Sequence, residues 1–497
     1  MSVKKYLLML LMFCAAVSGS AQNKRDFRGA WIQCVNGQFE GLASQDMQRT
    51  LSYQLDELQK DGVNAIFFQV RAECDALYPS KYEPWSRFLS GKQGQAPSPY
   101  WDPLQWMITQ CHQRGMELHA WVNPYRAKTK NTNELAASHI AIQHPDRVFP
   151  YDGLYILNPG IPENREYICK VVDDIVRRYD VDGIHMDDYF YPYPATGQVI
   201  PDDAQYKQYN NGITDRGDWR RYNVNLFIQQ MHDSIQSIKP WVKFGVSPFG
   251  IYRNQSKDPN GSNTRGLSNY DALYADVLLW VNNGWVDYNV PQLYWQIGHP
   301  TADYETLIRW WSQHASKRHL YIGEDVERTV KYPDVKNANT HQQAAKYALH
   351  ATLPNIDGTV LWYAKMAVDN PGNYATMLRQ YYWKNPALQP SMPWLSKVAP
   401  KKVRRLKPMM MDHDYVLFWT EPNSGKNWAT EATKYVVYRF APDEKINIED
   451  ASHIVAITND TFLKLPYVDG HTKYTYVVTA LNRIQNESKI TKKKIKL

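Results

Sequence analysis

The chain has 497 residues, 43% hydrophobic and 22% charged, with 57 Lys+Arg against 50 Asp+Glu for a formal charge of +7. Such composition excludes a wholly disordered or fibrous protein. The small basic excess is scattered except for Lys492, Lys493, Lys494 and Lys496, which gives no case for a nucleic-acid partner. The outlier is aromatic content, 13% with 17 Trp and 35 Tyr; aromatic faces suit bulky cores and the apolar faces of sugars alike.

Lys4 and Lys5 precede an apolar run from Tyr6 to Val17, and Ser18-Gly19-Ser20-Ala21 follows. This layout predicts a signal peptide over 1–21, cleaved after Ala21, and an exported protein of the periplasm or cell envelope. Lipid anchoring at Cys14 is disfavoured, because Phe13 stands where a small residue is expected. No segment approaches about 18 uninterrupted apolar residues, so no integral span is expected. Cys34, Cys74, Cys111 and Cys169 are widely spaced with no C-x-x-C, which predicts free thiols rather than a zinc knot or disulfide scaffold.

From 25 to 385, short apolar runs alternate with amphipathic stretches. Strands are expected at Arg28–Gln33, Ala65–Val70, Glu117–Asn123, Gly183–Tyr189, Lys243–Phe249, Asn289–Trp295, Leu320–Glu324 and Thr359–Tyr363. Helical periodicity lies between them, for example over Ser44–Lys60 with Ser44 as N-cap, and over Asp218–Ile238 with Asp218 as N-cap. Eight such units predict an α/β fold, a (β/α)8 TIM barrel. An open doubly wound sheet is the alternative, weakened because no Gly-rich phosphate turn follows the first strand. Pro386, Pro390, Pro393 and Pro400 mark a linker over 386–400. The runs Tyr415–Thr420, Lys434–Arg439, His453–Ile457 and Tyr474–Ala480 then predict a small all-β sandwich over 401–497.

Chemistry in such barrels gathers at the C-terminal strand ends, and side-chain alternation shows which polar residues share the inward face. His185 and Asp187 pair on the fourth strand, Gln69 and Arg71 on the second, His119, Trp121 and Asn123 on the third. Gln292 and Tyr294 follow on the sixth and Trp362 on the eighth, while Ser247 ends the fifth and Arg253 lies just beyond it. A barrel built only for packing would carry Val, Ile and Leu at these ends, so convergent polar groups point to a site.

Asp187-Asp188 is the sharpest pair. Glycoside cleavage needs a carboxyl acid and a second group that attacks or stabilises the anomeric centre. Adjacent acids at one strand end suit a substrate-assisted scheme, in which one carboxylate orients a 2-acetamido group and the other protonates the leaving oxygen. Two charges so close push one pKa up. The bland reading makes Asp187 part of a network with His185 or Arg71, and Asp188 a loop cap. Glu324 ends the seventh strand and reads equally as a partner carboxylate or a salt-bridge acid. His119 and His185 read as buried, hydrogen-bonded residues, since the H-x-H and H-E-x-x-H spacings are missing; no metal or cofactor is expected. Aromatics gather at the same rim, among them Trp31, Tyr78, Trp85, Tyr125, Tyr191, Tyr193, Tyr252, Trp295 and Tyr363, in the manner of sugar-stacking walls.

The barrel sequence resembles the glycosyl-hydrolase-like 10 family of bacterial envelope proteins. The matching stretches include Phe27-Arg28-Gly29-Ala30-Trp31, Phe68-Gln69-Val70-Arg71 with Asp75, Leu118-His119-Ala120-Trp121-Val122-Asn123-Pro124-Tyr125-Arg126 and Asp182-Gly183-Ile184-His185-Met186-Asp187-Asp188-Tyr189. Lys243-Phe244-Gly245-Val246-Ser247-Pro248 and Pro291-Gln292-Leu293-Tyr294-Trp295 continue the match. The resemblance implies an envelope glycosidase acting on peptidoglycan glycan strands, notably strands stripped of stem peptides. Their lactyl carboxylates would suit Arg71, Arg126 or Arg253. The fourth strand also resembles that of chitinase-type barrels, although Tyr189 stands where those enzymes place a catalytic Glu. Residues 401–497 resemble a fibronectin type III domain, which would make Trp419 a core residue and Tyr474 a tyrosine corner, and would offer an envelope protein or glycan contact. Two other readings stay open: a two-carboxylate hydrolase of another polysaccharide, and a non-catalytic glycan-binding protein.

Overall fold

The computed structural model describes residues 23–314, 317–423, 427–468 and 470–497. The expected signal peptide and Cys14 lie outside these residues. Among the described residues no helix is long and apolar enough to cross a membrane.

Eight parallel strands close into a barrel: β1 (Phe27–Ile32), β2 (Ala65–Arg71), β3 (Glu117–Val122), β4 (Gly183–Met186), β5 (Lys243–Val246), β6 (Tyr288–Asn289), β7 (His319–Asp325) and β8 (Gly358–Trp362). Closure is made by β1 on β8, with Phe27 opposite Gly358 and Ala30 opposite Leu361, and this removes the open-sheet alternative. Helices Ser44–Lys60, Pro103–Gln113, Pro162–Arg178, Arg216–Ile238, Tyr304–His314 and Gln343–Thr352 form most of the outer layer.

Three strands are shorter than the apolar runs predict. Pro248 and Pro291 lack the N–H that a ladder needs, so β5 and β6 stop early and only single bridges, Phe249 to Gln292 and Gln292 to Gly323, continue the line. On β4 the ladder ends at Met186, leaving Asp187 and Asp188 just past it. Two glycines make room for rings inside the barrel. A Cβ at Gly183 would overlap the His119 imidazole, and one at Gly245 the Tyr288 ring.

Two expected caps differ. Asp215, not Asp218, accepts the Asp218 N–H at 2.8 Å and starts the long helix at Arg216. Ser44 lies inside its helix and donates to the Pro99 carbonyl instead. The sequence pattern also misses a small sheet, Arg126–Lys128, Val148–Tyr151 and Leu154–Leu157, inserted after β3.

The C-terminal module has two antiparallel sheets. β9 (Arg404–Met411), β10 (Asp414–Thr420) and β13 (Phe462–Lys464) form one, in the order β9-β10-β13; β11 (Lys434–Phe440), β12 (Ile454–Thr458), β14 (Lys473–Leu481) and β15 (Thr491–Lys496) form the other, ordered β12-β11-β14-β15. Trp419 is buried against Tyr435 between the sheets, as expected. The Tyr474 ring lies under the Arg439 guanidinium.

Residues 386–400 are not a free spacer. They run across the N-terminal end of the barrel as a strap: Asp26 N–H donates to the Leu388 carbonyl at 2.9 Å, Gln389 to Asn64 O at 2.6 Å and Trp394 Nε1 to Asp287 at 2.7 Å. The module docks there as well, through Lys24–Glu487 at 2.6 Å and Arg483–Asp180 at 2.6 Å. The barrel floor is therefore closed, and its mouth is left open to ligands.

Candidate active site

The two acids sit just past the end of β4 and are nearly buried, Asp187 4% and Asp188 2% exposed. Asp187 Oδ2 accepts from Trp121 Nε1 at 3.2 Å and from Asn123 Nδ2, both on or beside β3. Its Oδ1 is buried with no partner among the described residues. Asp188 turns the other way and accepts from the Tyr193 hydroxyl in the loop after β4, with the Gln292 amide beside it. Both carboxyls thus meet groups of the barrel mouth, and neither points into the helix layer.

Asn123 is itself held in place. Its Oδ1 accepts from Gln69 Nε2 at 2.6 Å, and Gln69 Oε1 accepts the backbone N–H groups of Cys34 at 2.9 Å and Val35 at 3.1 Å. Fixed backbone donors just past β1 therefore set the Gln69 amide, which sets Asn123, which presents its N–H to Asp187. Gln69 was legible as inward and polar, yet its work as an orienting group needs the tertiary contacts.

Burial shifts both acids. Asp187 is pushed up to about 6, because desolvation outweighs the Arg126 cation and the N–H donors that favour its anion. Asp188 rises to about 7 through burial and then the neighbouring Asp187 charge, opposed by Tyr193 and Gln292. With one acid raised to about 6 and the other to about 7, the pair would share one proton between those values, the split that acid catalysis beside a carboxylate requires.

Rings line the surroundings. Trp362 is half-buried, stacked on Tyr294 at 6.1 Å and edge-on to Trp121 at 6.2 Å and Trp31 at 6.1 Å. Opposite runs a chain of contacts, Tyr189–Tyr193 at 5.5 Å, Tyr193–Phe249 at 6.0 Å and Phe249–Trp295 at 5.4 Å. A cavity of about 340 Å³ lies along the loop that follows the pair, lined by Arg126, Tyr151, Leu154, Tyr189, Tyr191 and Tyr193. The inserted sheet supplies much of this wall. Arg126 lies over the Tyr189 ring at 5.0 Å and donates Nε to Ala72 O at 3.0 Å. Tyr78 and Tyr125, expected at the rim, are fully buried packing residues.

Several expected ligand contacts sit elsewhere. Arg71 is fully buried, bidentate to Glu83 at 2.6–3.0 Å, with its other nitrogen on the Asn123 and Pro124 carbonyls, so no donor remains for a sugar. Asp75 is buried in its own loop, accepting the Glu73 N–H at 3.0 Å. Arg253 is held by Asp271 and Asp258 and stacks on Tyr270. His185 lies below the pair, bonded to Trp31 Nε1 and Ser247 Oγ. Glu324 is locked to Lys346 at 2.9 Å and to Tyr304, away from the mouth. Among the described residues, Cys34, Cys74, Cys111 and Cys169 are buried and unpaired.

A barrel that buries two adjacent carboxyls at one strand end, under walls of indole and phenol rings, has the constellation of a glycoside hydrolase. The chain belongs to the glycosyl hydrolase-like 10 family, which it matches over residues 26–342. It is 38% identical to "Glycosyl hydrolase YngK" of Bacillus subtilis (strain 168), covering 100% of this chain and 99% of that one. With "Glycosyl hydrolase DigH" of Escherichia coli (strain K12) it shares 36% identity, over 69% of this chain and 83% of the relative. Among solved structures, an alpha-L-fucosidase isoenzyme 2 from Paenibacillus thiaminolyticus superposes with TM-score 0.46 at 13% identity, over 76% of this chain and 52% of that one.

Proposed function

We propose that this glycoside hydrolase cleaves N-acetylated glycan strands, with denuded peptidoglycan as its substrate, by substrate assistance at Asp187 and Asp188. The observation that carries the reading is the adjacent pair itself, buried at one strand end and raised to about 6 and about 7. Asp187 is the one with a buried oxygen that has no partner among the described residues, so it takes the carboxylate role and accepts the acetamido N–H of the sugar. The acetamido oxygen then attacks C1, and the C1–O bond breaks as Asp188 gives its proton to the leaving oxygen. Water opens the resulting oxazolinium ring at C1 while Asp188 takes the water's proton, which restores the starting state with the anomeric configuration retained.

Trp362, Tyr294 and Trp121 would stack on the sugar, with Asn123, Gln292 and Tyr189 around it. Arg126, whose terminal nitrogens make no hydrogen bond among the described residues, would meet an acidic substituent. Against a conventional two-carboxylate scheme stand the engagements of the other acids: Glu324 is paired with Lys346, while Asp325 and Asp276 cap helices. The sheet orders, three strands and four, favour a fibronectin type III-like module, and the N-terminal pattern favours export to the envelope.

The test is to incubate the chain with denuded peptidoglycan, chitin oligomers and non-acetylated glucans and to analyse the products. Cleavage of acetylated strands alone, with retained anomeric configuration and loss in Asp187→Asn and Asp188→Asn, is the expected result. Full activity in both variants, or equal turnover of non-acetylated glucans, would sink the reading.

A further inference from the structure

Below the acid pair the barrel interior holds a line of polar side chains that the catalytic scheme does not use. It begins at the floor, where Lys243 Nζ and the module's Gln485 Nε2 both donate to Glu117 Oε1, at 2.6 and 2.8 Å. Glu117 Oε2 meets His119 Nε2 at 3.1 Å, and His119 Nδ1 meets the Tyr288 hydroxyl at 2.8 Å. That hydroxyl also meets His185 Nδ1 at 3.3 Å, and His185 Nε2 meets Trp31 Nε1 at 3.2 Å and Ser247 Oγ at 3.0 Å. Glu117, His119, His185 and Tyr288 are fully buried, and Lys243 and Gln485 nearly so.

Both ends of this line have fixed polarity, so every proton between them is determined. An indole nitrogen only donates, and therefore His185 Nε2 must be the acceptor and Nδ1 must carry the hydrogen. His185 Nδ1–H then donates to the Tyr288 oxygen, and the Tyr288 hydroxyl donates to His119 Nδ1. His119 Nε2–H in turn donates to Glu117, an anion held by the Lys243 ammonium. The opposite tautomer of His185 would set N–H against N–H at Trp31. Burial also pushes both imidazoles below their usual range, which keeps them neutral.

We propose that Glu117, His119 and Tyr288 are positioning residues that lock His185 in its Nδ1–H tautomer and so hold the barrel mouth from below. Two branches rise from His185 Nε2. One fixes the Trp31 indole, which stands edge-on to Trp362 in the cleft floor. The other takes the Ser247 hydroxyl, whose other acceptor is the Met186 carbonyl at a longer 3.5 Å. The Ser247 carbonyl accepts Gln292 Nε2 at 2.8 Å, and the Gln292 amide steadies Asp188. The C-terminal module thereby contributes Gln485 to the lower end of a line whose upper end meets the acid pair.

The experiment uses the full chain with 15N-labelled histidine. Multiple-bond 1H–15N spectra recorded from about pH 5.5 to 8 report each imidazole's tautomer and charge, with His119→Gln and His185→Gln assigning the signals. The expected result is a protonated Nδ1 and bare Nε2 for His185, the reverse for His119, and no change over that range. In Tyr288→Phe the Nδ1–H of His185 loses its acceptor while Ser247 Oγ, 3.0 Å from Nε2, can still accept from that nitrogen, so the Nε2–H tautomer should gain population against the Trp31 donor, and kcat on acetylated strands should fall roughly tenfold or more with KM within about twofold. A wild-type His185 that is cationic or carries its hydrogen on Nε2 overturns the proposal, as does a Tyr288→Phe chain with an unchanged tautomer. Should that variant not fold, the wild-type spectrum alone decides. The kinetic arm rests on the reading of Asp187 and Asp188. The spectra do not, so a chain that cleaves none of these glycans overturns that reading and leaves the column to be judged by its imidazoles.

Discussion

Glu117 at the floor of the barrel is buried as deeply as Asp187 and Asp188 at its mouth, and is treated in the opposite way. At the floor, Glu117 is pushed down to about 2, because Lys243 and the His119 N–H outweigh the desolvation that would raise it. Asp182, beside His112, is likewise held well below the carboxylate range. At the mouth, Asp187 and Asp188 rise to about 6 and about 7, with Arg126 too weak a counterweight for the first and a like charge beside the second. Burial alone therefore does not make a catalytic acid. What separates Glu117 from the mouth pair is the Lys243 ammonium, and no ammonium meets the mouth pair among the described residues.

The largest expected break of this contrast is chemical. Asp188→Asn should lower kcat by roughly 10²–10⁴-fold, measured on denuded peptidoglycan, while leaving the chain folded. Next comes Lys243→Met, which strands Glu117 without its ammonium. It should destabilise the chain by about 3–5 kcal/mol in unfolding experiments at neutral pH, whereas losing a mouth carboxyl should not.

The pH dependences should also diverge. At the floor the folded-state pKa is depressed, so its stabilisation is present above the unfolded value and lost as pH falls toward about 2. At the mouth the folded-state values are raised, so the folded chain binds more protons and loses stability as pH rises through about 6 to 7. Thermal unfolding at alkaline pH should therefore find Asp188→Asn at least as stable as the parent, with the difference vanishing at acid pH. The rate profile should be a narrow bell with limbs near 6 and 7, belonging to the pair rather than to either residue. Below it the orienting carboxylate is protonated; above it the acid is lost.

The smallest effect concerns Arg126. Its cation lowers Asp187, so Arg126→Met should move the acid limb upward, with KM for strands bearing lactyl carboxylates rising more than KM for chitin oligomers. A limb that stays in place would remove Arg126 from the electrostatics of the pair.

Local pattern carried far in this chain. Apolar runs of β-branched and aromatic residues at regular spacing fixed eight strands and the helices between them, since the 2.0 and 3.6 periods are written in nearest neighbours. The Asp187-Asp188 pair was legible because adjacency at a strand end needs no partner to be seen. Parity likewise put Trp121, Asn123 and His185 on the inward face. Pattern failed where a residue's role depends on who stands opposite. Arg71 and Asn123 look equally available in the sequence, yet Glu83, twelve positions on, consumes the first, while Gln69 aims the second at Asp187. The sheet at 126–157 went unseen because its strands are three or four residues long, too short for periodicity.

By itself, then, the sequence determined the barrel and the family and placed two adjacent acids at a strand end. Only the tertiary structure decided the protonation of that pair, the strap of 386–400 and the module that closes the floor. The physical reason is that desolvation and long-range hydrogen bonds belong to residues brought together by folding. Glu117 and Gln485 are 368 positions apart in the chain and 2.8 Å apart in the barrel.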